Sequence, residues 1–145
     1  MKKFLFLATL LLLLLVGAAC AEEYTVGKGG DYATLTQALS VATDGDTLRL
    51  LPGPHLEEEG NYPIVIGRSV AIIGEEGATL TGVPFQSILE ITAKDVRIEN
   101  VRFDLLRYGI KNLADGLTVD GCEFVLADET YRVSSCGIWL AGAYN

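Results

Sequence analysis

Short runs carrying apolar residues two apart recur along this chain at nearly regular spacing. Leu48-Arg-Leu50, Val70-Ala-Ile72, Val96-Arg-Ile98 and Leu117-Thr-Val119 begin 22, 26 and 21 residues apart. Period-two alternation marks a strand with one buried face, and recurrence at this interval marks a solenoid whose repeats cover one another. The last two repeats align further, Ile98-Glu-Asn-Val-Arg-Phe103 with Val119-Asp-Gly-Cys-Glu-Phe124. That register puts Val101 over Cys122 and Phe103 over Phe124, both pairs facing inward. It also puts Asn100 over Gly121, the two residue types that most readily adopt a left-handed turn conformation. The expected fold is an all-β solenoid.

The N-terminal end of such a stack needs a cover, because an unpaired strand edge recruits other chains. Thr34 to Ala42 reads as a short amphipathic helix with Leu35, Ala38, Leu39 and Ala42 on one face. Asp31 or Thr34 is expected to cap its start. The turn Asp44-Gly-Asp46 then leads into a first strand, Thr47 to Leu51. At the other end Gly137-Ile-Trp-Leu140 aligns with Gly109-Ile-Lys-Asn112 and opens another coil. The chain is therefore expected to be C-terminally incomplete, or else to pair its edge with a partner.

Residues 24 to 54 resemble the N-terminal signature of the pectin lyase-like superfamily, especially secreted right-handed parallel β-helix proteins and pectinesterase-related chains. The matching residues are Gly30-Asp31-Tyr32, Thr34-Leu35, Gln37-Ala38-Leu39, Ala42, Asp44-Gly45-Asp46-Thr47 and Pro52-Gly53, with Ile72-Ile73-Gly74 further on. The resemblance implies a right-handed β-helix with an N-terminal capping helix over the whole mature chain. It does not imply one reaction, since the superfamily includes lyases, hydrolases, esterases, epimerases, adhesins and non-enzymatic proteins. The Gln-Ala, Asp-Phe-Ile-Phe-Gly and Leu-Gly-Arg-Pro-Trp segments of pectinesterases have no counterpart here. Gln37-Ala38 belongs to the cap helix, so no catalytic residue carries over.

Residues 1–21 read as an export signal. Lys2 and Lys3 precede an apolar run from Phe4 to Val16, too short to span a bilayer, and small residues follow. Two processing routes are open: cleavage after Ala21, or lipidation of Cys20 as in a bacterial lipoprotein. Either route exports a single domain, 22–145, to the cell surface, periplasm or exterior. Loss of Lys2 and Lys3 leaves nine basic against 19 acidic residues, a formal charge of −10. So acidic a surface repels phosphate backbones and anionic headgroups, which argues against nucleic acid as a partner. Beyond Cys20 the cysteines are Cys122 and Cys136. They are a candidate disulfide pair, although a small core residue is the simpler reading of Cys122.

Four groups of residues offer chemistry. Tyr108, Tyr131 and Trp139 form a candidate aromatic face for stacking sugar rings, with the insertion 127–135 as one wall of a groove. Glu99 and Asp120 lie over one another in the repeat, a weak candidate Ca²⁺ site since that ion takes carboxylate oxygens. Polysaccharide lyases with this fold use such ions, by resemblance; otherwise no cofactor is expected. Arg97 and Arg107 are surface residues or reach a groove to hold a sugar carboxylate. Arg102 over Glu123 reads as a register-setting ion pair. His55 is expected to pack on its coil, and Glu57-Glu-Glu59 reads as a solvated charge run.

The expected function is a secreted or surface-anchored β-helix module, non-catalytic as given, that binds carbohydrate or another cell-envelope component. The alternative is the N-terminal part of a polysaccharide lyase or pectinesterase-like enzyme whose active site lies beyond residue 145. A copper-delivery accessory role fits poorly, because one His and the initiator Met are poor copper ligands.

Overall fold

The computed structural model describes residues 20–127 and 135–141. Thirteen strands and one α-helix follow one another as β1 (Glu23–Val26), α1 (Leu35–Val41), β2 (Thr47–Leu50), β3 (Gly53–His55), β4 (Ile64–Ile66), β5 (Ala71–Gly74), β6 (Ala78–Thr81), β7 (Ser87–Ile91), β8 (Arg97–Glu99), β9 (Arg102–Leu105), β10 (Tyr108–Asn112), β11 (Thr118–Asp120), β12 (Glu123–Leu126) and β13 (Cys136–Leu140). They form three parallel sheets, β1-β2-β5-β8-β11, β3-β6-β9-β12 and β4-β7-β10-β13. From β2 onward each coil contributes one strand to each sheet, while the opening turn supplies β1 and α1, which makes the fold a right-handed parallel β-helix with an N-terminal helix.

The inward residues explain why the coils stack. Leu48, Ile72, Ile98 and Val119 occupy one register position along the first sheet. Leu80, Phe103 and Phe124 occupy one along the second. The Phe103 and Phe124 rings stack at 4.8 Å with 9° between their planes, worth about 0.5–1.5 kcal/mol beyond their buried area. Between these sheets the chain turns sharply at Asn100 and Gly121, with φ of 54° and 60°. The left-handed turn expected there is present in both coils.

The first coil corrects the sequence register. Leu48 pairs with Ile72, so Val70 stands over Asp46 instead of Leu48. Asp46 is almost fully buried in a position that a hydrophobic residue fills in later coils. It is tolerated because its carboxylate accepts the backbone N–H of Glu22 at 2.8 Å, that of Thr43 at 2.7 Å and the Thr43 hydroxyl at 3.0 Å. Those bonds, the Glu22 N–H foremost, hold its pKa below the ordinary 3.8. Through Glu22, Asp46 also ties down β1, a strand that sequence alone did not suggest.

The cap helix forms as expected, with Leu35, Ala38 and Ala42 fully buried and Leu39 packed against the core. Thr34 is its N-cap, accepting from the Gln37 N–H at 3.3 Å. Asp31 has a different task, accepting the Thr25 N–H at 2.8 Å and the Thr25 hydroxyl at 2.7 Å. Glu57 also departs from its reading as a solvated charge. Its Oε1 accepts the Thr36 N–H at 3.1 Å in the first turn of α1, whereas Glu58 and Glu59 are exposed. His55 is buried, as expected for a packing residue, with Nε2 at 2.7 Å from the Leu51 carbonyl.

Cys122 and Cys136 are free thiols, so the candidate disulfide does not form. Cys122 Sγ lies 3.4 Å from the Asp120 carbonyl and 3.7 Å from that of Ile98, and burial pushes its pKa up. Among the described residues no helix is long and apolar enough to cross a membrane. Residues 1–19 of the leader and Tyr131 lie outside the described residues, and Cys20 is exposed.

Candidate functional site

The third sheet presents its outward residues in one row. Val65 of β4, Glu90 of β7, Lys111 of β10 and Trp139 of β13 share a register position. Parallel stacking makes this row continuous, because the same position in every coil points the same way. Lys111 Nζ bonds Glu90 Oε2 at 2.8 Å and lies 5.8 Å from the centroid of the Trp139 ring. Trp139 is half-exposed, and its ring tilts at 37° to that of Tyr108, 5.6 Å away. Two of the three aromatic residues expected to form a face therefore meet.

The connections between the second and third sheets build the walls. Arg107 places its guanidinium carbon 4.9 Å from the Tyr108 ring centroid, a cation–π contact. It has no carboxylate partner among the described residues, and its Nε is buried without a hydrogen bond. Phe85 is held at a positive φ of 67° and is 69% exposed. Together with Pro63, Gln86 and Ser87, these side chains line a shallow, open groove of about 400 Å³.

This set suits a ligand with flat apolar faces and hydroxyls at its rim. Tyr and Trp rings offer large rigid surfaces with an electron-rich face, and a few fixed polar groups supply orientation. The C–H face of a pyranose ring complements the former, and its hydroxyls complement Glu90, Lys111, Arg107 and Gln86. A larger hollow of about 500 Å³ lies among Leu117, Val119, Ile138 and Leu140. Its lining joins inward residues of the last described coil to the exposed turn at Asp115 and Gly116.

The other candidates fall elsewhere. Glu99 and Asp120 are in register on the first sheet, as expected, but Glu99 is ion-paired to Arg97. Among the described residues no three His, Cys, Asp or Glu side chains converge on a point. Arg102 bridges Glu123 at 3.2 Å and Asp104 at 2.9 Å, the register pair read from the repeat. Glu90, Lys111 and Phe85 were not singled out in the sequence. The alignment of Gly109-Ile-Lys-Asn112 with Gly137-Ile-Trp-Leu140 already placed Lys111 under Trp139; Ser87-Ile-Leu-Glu-Ile91 extends it to Glu90.

No family model matches the chain, and neither a curated protein nor a solved structure does.

Proposed function

We propose that this chain is an exported β-helix module that binds carbohydrate through the groove on its third sheet, without catalysis in these coils. The observation that carries the reading is the Tyr108–Trp139 pair, 5.6 Å apart, flanked by Lys111, Glu90 and Arg107 in one concave surface. The parallel solenoid, the capping helix and the residues from Gly30 to Gly53 support placing it in the pectin lyase-like superfamily. The basic start and apolar run of residues 2–16 support export, and Cys20 offers a point of lipid attachment.

A glycan array followed by calorimetry on the mature chain tests this. Binding to at least one polysaccharide class is expected, with Trp139→Ala and Tyr108→Ala each weakening it about tenfold, or about 1.4 kcal/mol. Binding that both variants retain at full strength would move the site elsewhere. Failure to bind any glycan at millimolar concentration would end the carbohydrate reading.

A further inference from the structure

The opening coil is closed by a carboxylate. Asp46 is almost fully buried, at an inward position that Val70 and Val96 fill in the next two coils. Its two oxygens serve different partners. Oδ2 accepts the Thr43 N–H at 2.7 Å and the Thr43 hydroxyl at 3.0 Å, closing the turn that leads into β2. Among the described residues Oδ1 accepts the Glu22 N–H alone, at 2.8 Å. Every one of these donors is neutral, and among the described residues no Lys or Arg pairs with Asp46. A buried carboxylate without a cation is costly, and folded proteins ordinarily supply one. The Glu22 carbonyl in turn accepts the Thr47 N–H at 2.8 Å, so both backbone groups of Glu22 are fixed on the first coil. Cys20 and Ala21, just before it, are exposed.

We infer that the Glu22 nitrogen becomes the cation Asp46 lacks: cleavage after Ala21 frees an α-ammonium group that pairs with the buried carboxylate and fastens β1 to the coil. The inference rests on the export reading above and adds the cleavage point and its effect on the fold. Cleavage by an export peptidase is hydrolysis of the Ala21–Glu22 amide. The C–N bond breaks, and water gives its oxygen to the new Ala21 carboxylate and both hydrogens to the Glu22 nitrogen. An α-amino group keeps the resulting charge below about pH 8. The nitrogen need not move, because the donor that already stands 2.8 Å from Oδ1 simply gains a charge. Hydrogen bonds that involve ionised groups are roughly twice as strong as neutral ones. Lipidation at Cys20, by contrast, leaves Glu22 in amide linkage with a single neutral N–H. Of the two processing routes, cleavage after Ala21 is the one for which Asp46 is placed.

Urea unfolding tests the proposal on three forms: chain 22–145 with a free N-terminus, the same chain α-N-acetylated, and chain 20–145. The measurement is made at about pH 6, where an α-amino group is charged. Acetylation restores the amide at Glu22 and is expected to raise the unfolding constant about tenfold. Chain 20–145 should resemble the acetylated form, and acetylating it at Cys20 should change nothing. Asp46→Asn should erase the difference between free and acetylated 22–145. In the unsubstituted chain, acetylation should speed amide exchange in β1 and β2 and leave β9 and β10 unchanged, which decides the matter even if Asp46→Asn fails to fold. Equal unfolding constants for the free and acetylated chains overturn the proposal. A difference that persists in Asp46→Asn, or that speeds exchange in every strand alike, overturns it too. N-terminal sequencing of the protein isolated from its own cells separates the pairing from export. A first residue of Glu22 upholds both, a lipidated Cys20 overturns the pairing and leaves export standing, and an intact leader overturns both.

Discussion

The first and third sheets of this β-helix share one backbone plan and differ almost entirely in what they show to solvent. On the first, charges neutralise each other. Arg49 makes two 2.8 Å bonds to the Glu23 carboxylate, and Arg97 pairs with Glu99. On the third, Lys111 divides its ammonium between Glu90 and the Trp139 ring, and Arg107 lies against Tyr108 with no carboxylate among the described residues. Inward, both sheets carry aliphatic residues in register. The difference teaches that stacking is indifferent to the outer face, so recognition can be written on one sheet while another remains inert.

The strongest way to break that comparison is to remove what both sheets share. Phe103→Ala takes a fully buried ring from the stack and is expected to cost about 3–5 kcal/mol. Urea unfolding should show one lowered midpoint, with fluorescence from Trp139 and circular dichroism falling together. Separate transitions would mean that the sheets are not one cooperative unit.

Next in size is the groove itself. Trp139→Ala should cut glycan affinity about tenfold while shifting stability by no more than about 0.5 kcal/mol, as for other exposed positions. A comparable loss of stability would assign the ring to packing. Thr34→Ala removes the N-cap of α1 and should cost about 1 kcal/mol, measured by the same unfolding experiment.

Acid sharpens the contrast more gently. Hydrogen bonds from Glu22 and Thr43 lower the pKa of Asp46, and those from Thr25 lower that of Asp31, both from an ordinary 3.8. A depressed carboxylate contributes stability above its unfolded pKa and loses it as pH falls through the folded value. The N-terminal coil should therefore loosen below about pH 4, seen as faster amide exchange in β1 and β2 before β9 and β10. Asp46→Asn should flatten that dependence. Smallest of all is Arg49→Ala, whose exposed pair should leave both midpoint and binding unchanged. Lys111→Ala, its counterpart on the third sheet, should weaken binding.

The parts that were legible in the sequence are those governed by period. Phe103 over Phe124, Asn100 over Gly121 and the buried face of α1 follow from alternation and turn chemistry that each coil repeats. The first coil was misread by two residues because Asp46, a carboxylate, occupies an inward position that pattern reserves for Val70 and Val96. The backbone N–H groups of Glu22 and Thr43 and the Thr43 hydroxyl, unseen by any periodicity, make that position acceptable. β1 was missed for a related reason: Glu23-Tyr-Thr-Val26 has no partner pattern before it and is held by pairing with β2. In the groove, Tyr108 and Trp139 were visible as aromatics at repeat positions. Phe85 and Gln86 were not, since a loop residue at positive φ is placed by its particular connection and not by a repeat.

The three kinds of connection differ in how freely their length varies. Links from the first sheet to the second take two or three residues, 51–52, 75–77, 100–101 and 121–122. Among the described residues, links from the second to the third are 56–63, 82–86 and 106–107. Pro63, Phe85, Gln86 and Arg107 all come from this second group, so the groove's walls are built where insertions leave the stack undisturbed. A change in the length of those loops would reshape the groove without shifting the register of the strands, provided that core residues such as Tyr62 and Val83 keep their packing. The chain's specificity and its stability are therefore free to evolve on separate residues.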